Sequence, residues 1–272
     1  MSRKPVVQGQ FYPGDARQLR KTVGSFTPQV EEKERVLGLL CPHAGYAFSG
    51  PVAGKTFAGV VVPDSVVLLN PSHAYDRPAF ALWTGGSWET PLGEVALHEG
   101  LTAGLAELPM TAADDRPHLP EHSGEVVLPF IQYHNPGVRM AFVCVTASAG
   151  MGELQEFGAG LARVLESSGE QDVLIVASSD MSHESGSRAL EIVNRNDLLA
   201  IAQMEQLSPD GLYRTCRQEG ITMCGVLPAV AMMAAVIARG GKEGVLVSRA
   251  TSADSPLGSG SYVVGYAGMV FK

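Results

Sequence analysis

The chain has 272 residues, with 20 basic and 28 acidic side chains and a formal charge of −8. That acidic balance lacks the basic face with which nucleic-acid binders displace condensed counterions, and 45% hydrophobic against 18% charged residues excludes a disordered chain. No apolar run approaches the roughly 18 residues that span a bilayer, the first ten residues hold no apolar targeting core, and the four cysteines form no CxxC pair, so a cytoplasmic protein with reduced thiols and no membrane attachment is expected.

Strand-like apolar runs alternate with helix-like segments along the whole chain, with no repeat or linker, which predicts one α/β domain over 1–272. Residues 15–26 read as a helix capped by Asp15, and Val36 to Cys41 as a buried strand stopped by Pro42. Ser49 can cap a helix running to about Val60 with Pro51 in its first turn. Val66–Leu69 and Ala79–Trp83 are two more strands. Glu121 to His134 is helical by pattern despite Pro129, Met140–Val145 is a strand, Glu153–Glu166 an amphipathic helix and Val173–Ala177 a buried strand. Helices are expected over about 187–206, 209–219 and 225–239, and closing strands over Gly244–Ala250 and Ser261–Val270.

Three apolar strands run straight into polar clusters: Pro42-His43-Ala44-Gly45-Tyr46, Asn70-Pro71-Ser72-His73 and Ser178-Ser179-Asp180-Met181-Ser182-His183. Ligand sites of open α/β sheets lie beyond the carboxyl ends of the strands, so three histidines placed there can converge on one site. His43 and His73 read either as hydrogen-bonded loop residues or as metal ligands, imidazole nitrogen being the commonest protein donor. Asp180 and His183 read as a helix cap with His183 in the first turn, or as an acid–base pair in which the carboxylate orients the imidazole. Cys224, where an apolar helix begins, is either a small buried hydrophobe or a thiolate favoured by the helix terminus, able to bind metal or attack an electrophile. Cys41 and Cys144 read as buried, and Cys216 as an ordinary helix residue.

Glu121-His122-Ser123-x-Glu125 can hold a cleft-facing charge at a helix start, His122 and Glu125 sharing one helical face; the plainer reading is a solvated first turn with well-placed acids. Tyr46 and Trp83 lie near the cluster-bearing segments and read either as pocket mouth or as ordinary packing, while Phe48, Val52 and Phe57 read as core. His98, His118 and His134 receive no role. Dinucleotide, P-loop, HExxH and GxSxG signatures are absent from the sequence.

Taken in order, Gly9-Gln10-Phe11-Tyr12-Pro13, Pro42-His43-Ala44-Gly45-Tyr46, Pro71-Ser72-His73, Thr90-Pro91-Leu92-Gly93, Glu121-His122-Ser123, Ser178-Ser179-Asp180-x-Ser182-His183 and Cys224-Gly225 resemble the landmarks of the Memo family, whose microbial members are also described as AmmeMemoRadiSam system protein B. The resemblance covers nearly the whole chain. It implies a three-layer αβα fold with a central mixed sheet, similar to class III extradiol dioxygenases, and a non-haem metal site. The family's two histidines and cysteine fall on His43, His73 and Cys224, and its remaining pocket positions on Asp180 and His183. Iron(II) is the implied cofactor, with copper and zinc as alternatives, because a thiolate replaces the dioxygenases' carboxylate. The expected function is metal-dependent, oxygenase-type redox chemistry on a small-molecule substrate, with His183 as acid or base and Asp180 orienting it or binding the metal. The alternatives are a non-catalytic binding protein of a radical-SAM modification system, the radical-SAM protein being its partner, and a hydrolase or lyase with Cys224 as nucleophile and His183 as base.

Overall fold

The structure, a computed structural model, describes residues 2–170 and 172–272. Its framework is four strands whose apolar runs leave no polar face: β1 (Gly38–Cys41), β2 (Ser65–Pro71), β7 (Arg139–Val145) and β8 (Val173–Ser178). Such runs suit parallel strands covered on both sides. β8 lies parallel between β1 and β2, and β2 lies parallel to β7. Two long antiparallel strands, β10 (Gly244–Thr251) and β11 (Tyr262–Phe271), complete one side, β11 pairing with both β1 and β10. On the other side β3 (Phe80–Leu82) runs antiparallel to β7 and parallel to β6 (Thr111–Ala113). A hairpin of β4 (Trp88–Thr90) and β5 (Gly93–Leu97) joins through β5, and β9 (His183–Ser185) adds to β11.

Side chains alternate across this mixed sheet and build two cores. Leu40, Val67, Leu69, Val143, Ile175 and Ala177 face one cluster, filled by α3 (Glu99–Ala106), α5 (Met151–Ser167), α6 (Ala189–Glu205), α7 (Pro209–Glu219) and α8 (Val226–Ala238). Leu39, Cys41, Val66, Leu68, Phe142 and Val176 face the other, covered by α1 (Ala16–Phe26), α2 (Tyr46–Ala58) and α4 (Ser123–His134). The result is the expected central mixed sheet flanked by helices. No helix among the described residues is long and apolar enough to cross a membrane.

The expected elements recur with shifted ends, and several shifts have a physical cause. Asp15 caps α1 as read, its Oδ1 accepting Gln18 N–H at 2.8 Å, and Ser208 caps α7. α2, however, starts at Tyr46 and not at Ser49, whose hydroxyl instead donates back to the Ala44 carbonyl. Pro51 therefore sits inside the helix, where it cannot donate to the carbonyl four residues earlier. That carbonyl, of Ala47, accepts the Ser255 hydroxyl at 2.8 Å instead. His183 is the clearest correction. It opens strand β9 opposite Val264, and no helix turn follows Asp180 there. The pieces absent from the sequence reading, β4, β5, β6, α3 and β9, are short or amphipathic in neither period.

Candidate metal centre

Strand register sets the site. Cys41 of β1 pairs with Ser178 of β8, and Leu69 of β2 pairs with Ala177, so the three strands end at nearly the same level. His43 and Asp180 each follow their paired strand end by two residues, and His73 follows the end of β2 by two. Asp180 is buried, and its Oδ1 accepts the backbone N–H groups of His43 at 2.8 Å and Ala44 at 3.2 Å, which ties the first loop to the third.

One ligand atom each from His43, His73 and Cys224 lies within 4.8 Å of the other two. His43 Nδ1 contacts Ser178 Oγ at 2.7 Å, and that hydroxyl gives its single proton to the Ser123 carbonyl. Ser178 must then accept from His43, so Nδ1 carries the proton and Nε2 presents a bare lone pair, 3.3 Å from Cys224 Sγ. His73 is held the same way: its Nδ1 donates to Glu121 Oε1 at 2.8 Å and its backbone N–H to Oε2 at 2.6 Å, leaving Nε2 free. Cys224 precedes α8, pressed onto the end of β8, and its sulfur accepts the Asp180 N–H at 3.3 Å. Gly225 allows this approach, because a Cβ there would overlap the Ser178 carbonyl and the Ser179 side chain.

Burial dominates the electrostatics. It holds His43 well below the usual histidine range, helped by the neighbouring imidazoles of His122 and His73. His122 is lowered by burial too, against the opposing charge of Glu121. His73 moves the other way, raised by its hydrogen bond to Glu121. Burial alone would push the Glu121 carboxyl up; the hydrogen bond and charge of His73, with the backbone N–H groups of His73 and Ser123, instead hold it down to about 2. The Cys224 thiol is raised by burial and by the Asp180 carboxylate, so the helix start does not produce a ready thiolate among these side chains alone. Asp180 is itself raised by burial, which the His43 N–H only partly offsets.

A pocket of about 600 Å³ opens over His43 and His73, with His122, Asp180 and His183 also in its walls. Asp180 does not hold the His183 ring in place; its bonds go to backbone. His183 is instead clasped by Thr222, whose hydroxyl accepts its N–H at 2.7 Å and whose carbonyl accepts from Nδ1 at 3.2 Å. The imidazole that contacts Cys224 is His43, so a Cys224–His183 nucleophile–base pair is not formed.

Two acidic positions read as a solvated turn are interior. Glu121 is the carboxylate that fixes His73, and Glu125 is fully buried on Arg3. The His122 ring is stacked on His73 at 4.9 Å and crossed by His43 at 5.6 Å. The one local signal for this is Glu121-His122-Ser123 itself, two ionisable groups at a helix start. Tyr46 and Trp83 are buried packing residues outside the pocket, whereas Phe48, expected in the core with Val52 and Phe57, forms part of the pocket wall. Cys41, Cys144 and Cys216 are buried free thiols.

Residues 3–270 match the Memo-like protein family. The chain belongs to it. Among the Memo-like relatives, the MEMO1 family protein of Aquifex aeolicus is 36% identical over 272 residues, covering 99% of this chain and 98% of that one. The MEMO1 family protein of Methanopyrus kandleri is 35% identical, covering 100% of this chain and 99% of the relative. An uncharacterised Escherichia coli K12 protein of known crystal structure shares the fold of this Memo-like chain at a TM-score of 0.52, with 14% identity over 86% of this chain and 99% of that one.

Proposed function

We propose that His43, His73 and Cys224 hold one non-haem metal ion, iron(II) or copper ahead of zinc, for redox chemistry on a small molecule in the pocket above. The observation that carries this is the convergence of two imidazoles and a thiol within 4.8 Å, each imidazole with its other nitrogen already engaged. That arrangement is how proteins fix metal-binding histidines, a carboxylate or hydroxyl setting the tautomer and ring angle. A mixed nitrogen and sulfur donor set suits iron, copper or zinc over calcium or magnesium, and three protein ligands leave positions for substrate. When bound, the ion supplies Lewis acidity and, for iron or copper, electron transfer.

The protein's own groups do the rest. Glu121 orients His73 and raises its basicity, and Ser178 fixes the tautomer and ring angle of His43. Asp180 fixes the His43 backbone. His183, its Nδ1 spent on Thr222, faces the pocket with Nε2 available to take or give a proton.

A second reading rests on the rim. Leu257 is 71% and Tyr262 51% exposed beside the pocket, apolar surface suited to covering by a partner such as a radical-SAM protein. The deciding experiment is metal content by mass spectrometry on tag-free protein purified anaerobically, beside His43→Ala and Cys224→Ala. Close to one iron or copper per chain, lost in both variants, is expected, followed by oxygen-uptake screens. Metal retained in both variants would remove the ligand set, and metal binding without turnover would move weight to the partner-binding reading.

A further inference from the structure

A second concavity shares no residue with the metal pocket. It is a cleft of about 1,030 Å³ between α1, the 27–33 segment and the C-terminal end of α4. Arg17, Arg20 and Lys21 of α1 line it at spacings of three and four residues, the geometry of a single helix face. Leu19 and Val23 occupy the opposite face and are buried. Lys33 enters from the following segment, its Nζ 3.1 Å from Nδ1 of His134. Burial and Lys33 hold that imidazole down at about 4, so it stays neutral and its Nδ1 accepts from the Lys33 ammonium.

Charge is what sets this cleft apart. The protein carries an excess of eight acids, yet among the described residues no acidic side chain lines the cleft. Glu31 and Glu32 adjoin Lys33 in sequence but are not part of its wall. Among the described residues, none of its four cations forms an ion pair; single cations elsewhere, such as Lys55, Arg77 and Arg163, are unpaired too, but here four share one concave wall. Unneutralised like charges around a concave wall focus the field and concentrate anions. Arginine forks match phosphate oxygens two at a time, and lysines add point charge. Val30, Ala58 and Tyr133 give the same cleft an apolar wall. Its volume lies at the upper end of the roughly 300–1,000 Å³ of small-molecule sites.

We propose that this cleft binds a small organic molecule bearing two or more phosphate groups, a nucleoside diphosphate by size and charge. The phosphates lie along the Arg17–Arg20–Lys21 face with Lys33 opposite, and the organic part covers Tyr133. α4 links the two sites, its 12 residues starting beside the metal centre at Ser123 and ending in the cleft at His134. That is about 18 Å at 1.5 Å per residue, too far for one small ligand to contact both.

The test is calorimetric titration of the full chain with inorganic pyrophosphate, ADP, AMP and a poly-glutamate peptide, beside Arg20→Gln/Lys21→Gln and Cys224→Ala. Both basic residues are exposed, so the double variant is expected to keep wild-type circular dichroism and metal content. ADP and pyrophosphate should bind, AMP more weakly, and the double variant should lose roughly tenfold or more of the affinity. Added salt should weaken binding steeply. The proposal fails if neither ADP nor pyrophosphate binds, or if the double variant binds as well as wild type. It fails equally if Cys224→Ala alone abolishes binding, which would place the anion at the metal. Binding of poly-glutamate without pyrophosphate would replace it with an acidic protein partner.

Discussion

Glu125→Gln is the most informative single change to stability. The Glu125 carboxylate is fully buried and accepts from Arg3 Nη1 at 2.9 Å, Val6 N–H at 2.7 Å, Val7 N–H at 3.0 Å and the Tyr12 hydroxyl at 2.7 Å. Arg3 is equally buried, donates to the carbonyls of His118 and Glu121, and lies 4.2 Å over the Trp88 ring. The amide would keep the shape but leave a guanidinium inside with no countercharge. Breaking a buried pair in this way costs about 3–5 kcal/mol. At roughly 2–4 °C per kcal/mol for a domain of this size, the melting temperature should fall by about 6–20 °C. Urea unfolding followed by tryptophan emission suits the question, because Trp88 sits directly beneath the cation. Arg3→Met/Glu125→Leu should recover only part of the loss, because it strands the Val6 and Val7 N–H groups and the Tyr12 hydroxyl, an unpartnered buried group costing about 1–3 kcal/mol. A loss below about 1 kcal/mol in Glu125→Gln, or additive single-site effects in the cycle, would refute the reasoning.

Three further outcomes are expected. Glu121→Gln should leave the fold intact and weaken metal binding about 10–100-fold, read by competition with a chromophoric chelator; unchanged affinity would deny Glu121 its orienting role. Gly225→Ala should push the α8 start away from Ser178 and lower metal stoichiometry, while Gly220→Ala at the end of α7, with φ 64°, should lower only stability; equal metal content in both variants would contradict this. The third outcome concerns pH. Burial holds His118 at about 4, against about 6.5 in an unfolded chain, so the unfolded state binds the extra proton between those values. Stability should therefore fall as pH drops from about 6.5 to 4, by up to about 3 kcal/mol at 1.36 kcal/mol per unit, and His118→Gln should flatten that window. Glu121, lowered to about 2, adds a loss in the same direction below about 4.5.

The parallel strands were legible because burial on both faces forces continuous apolar runs such as Val66-Val67-Leu68-Leu69. His43, His73 and Asp180 were legible because polar residues stand at the ends of those runs. His183 was placed in the right cluster but on the wrong element, since its strand exists only by pairing with Val264, eighty-one residues later in the chain. Glu121 and Glu125 looked solvated for a similar reason. The groups that receive their carboxylates lie far off in sequence: Arg3 and the backbone of Val6 and Val7 for Glu125, more than a hundred residues away, and His73 for Glu121, 48 residues away. A local window reports helix-start acids as favourable, whether water or an arginine receives them.

The order of the sheet also has a consequence for synthesis on the ribosome. β1 is one of the first strands made, yet one of its two neighbours is β11, translated more than two hundred residues later. Until β11 emerges, the growing chain exposes the N–H and C=O row of β1 on that side, and β10 has no partner at all. An open edge of this kind recruits other strands, and long-range closure of this kind is slow. Nascent chains stalled before Tyr262 should therefore depend on holdase chaperones far more than the finished protein does.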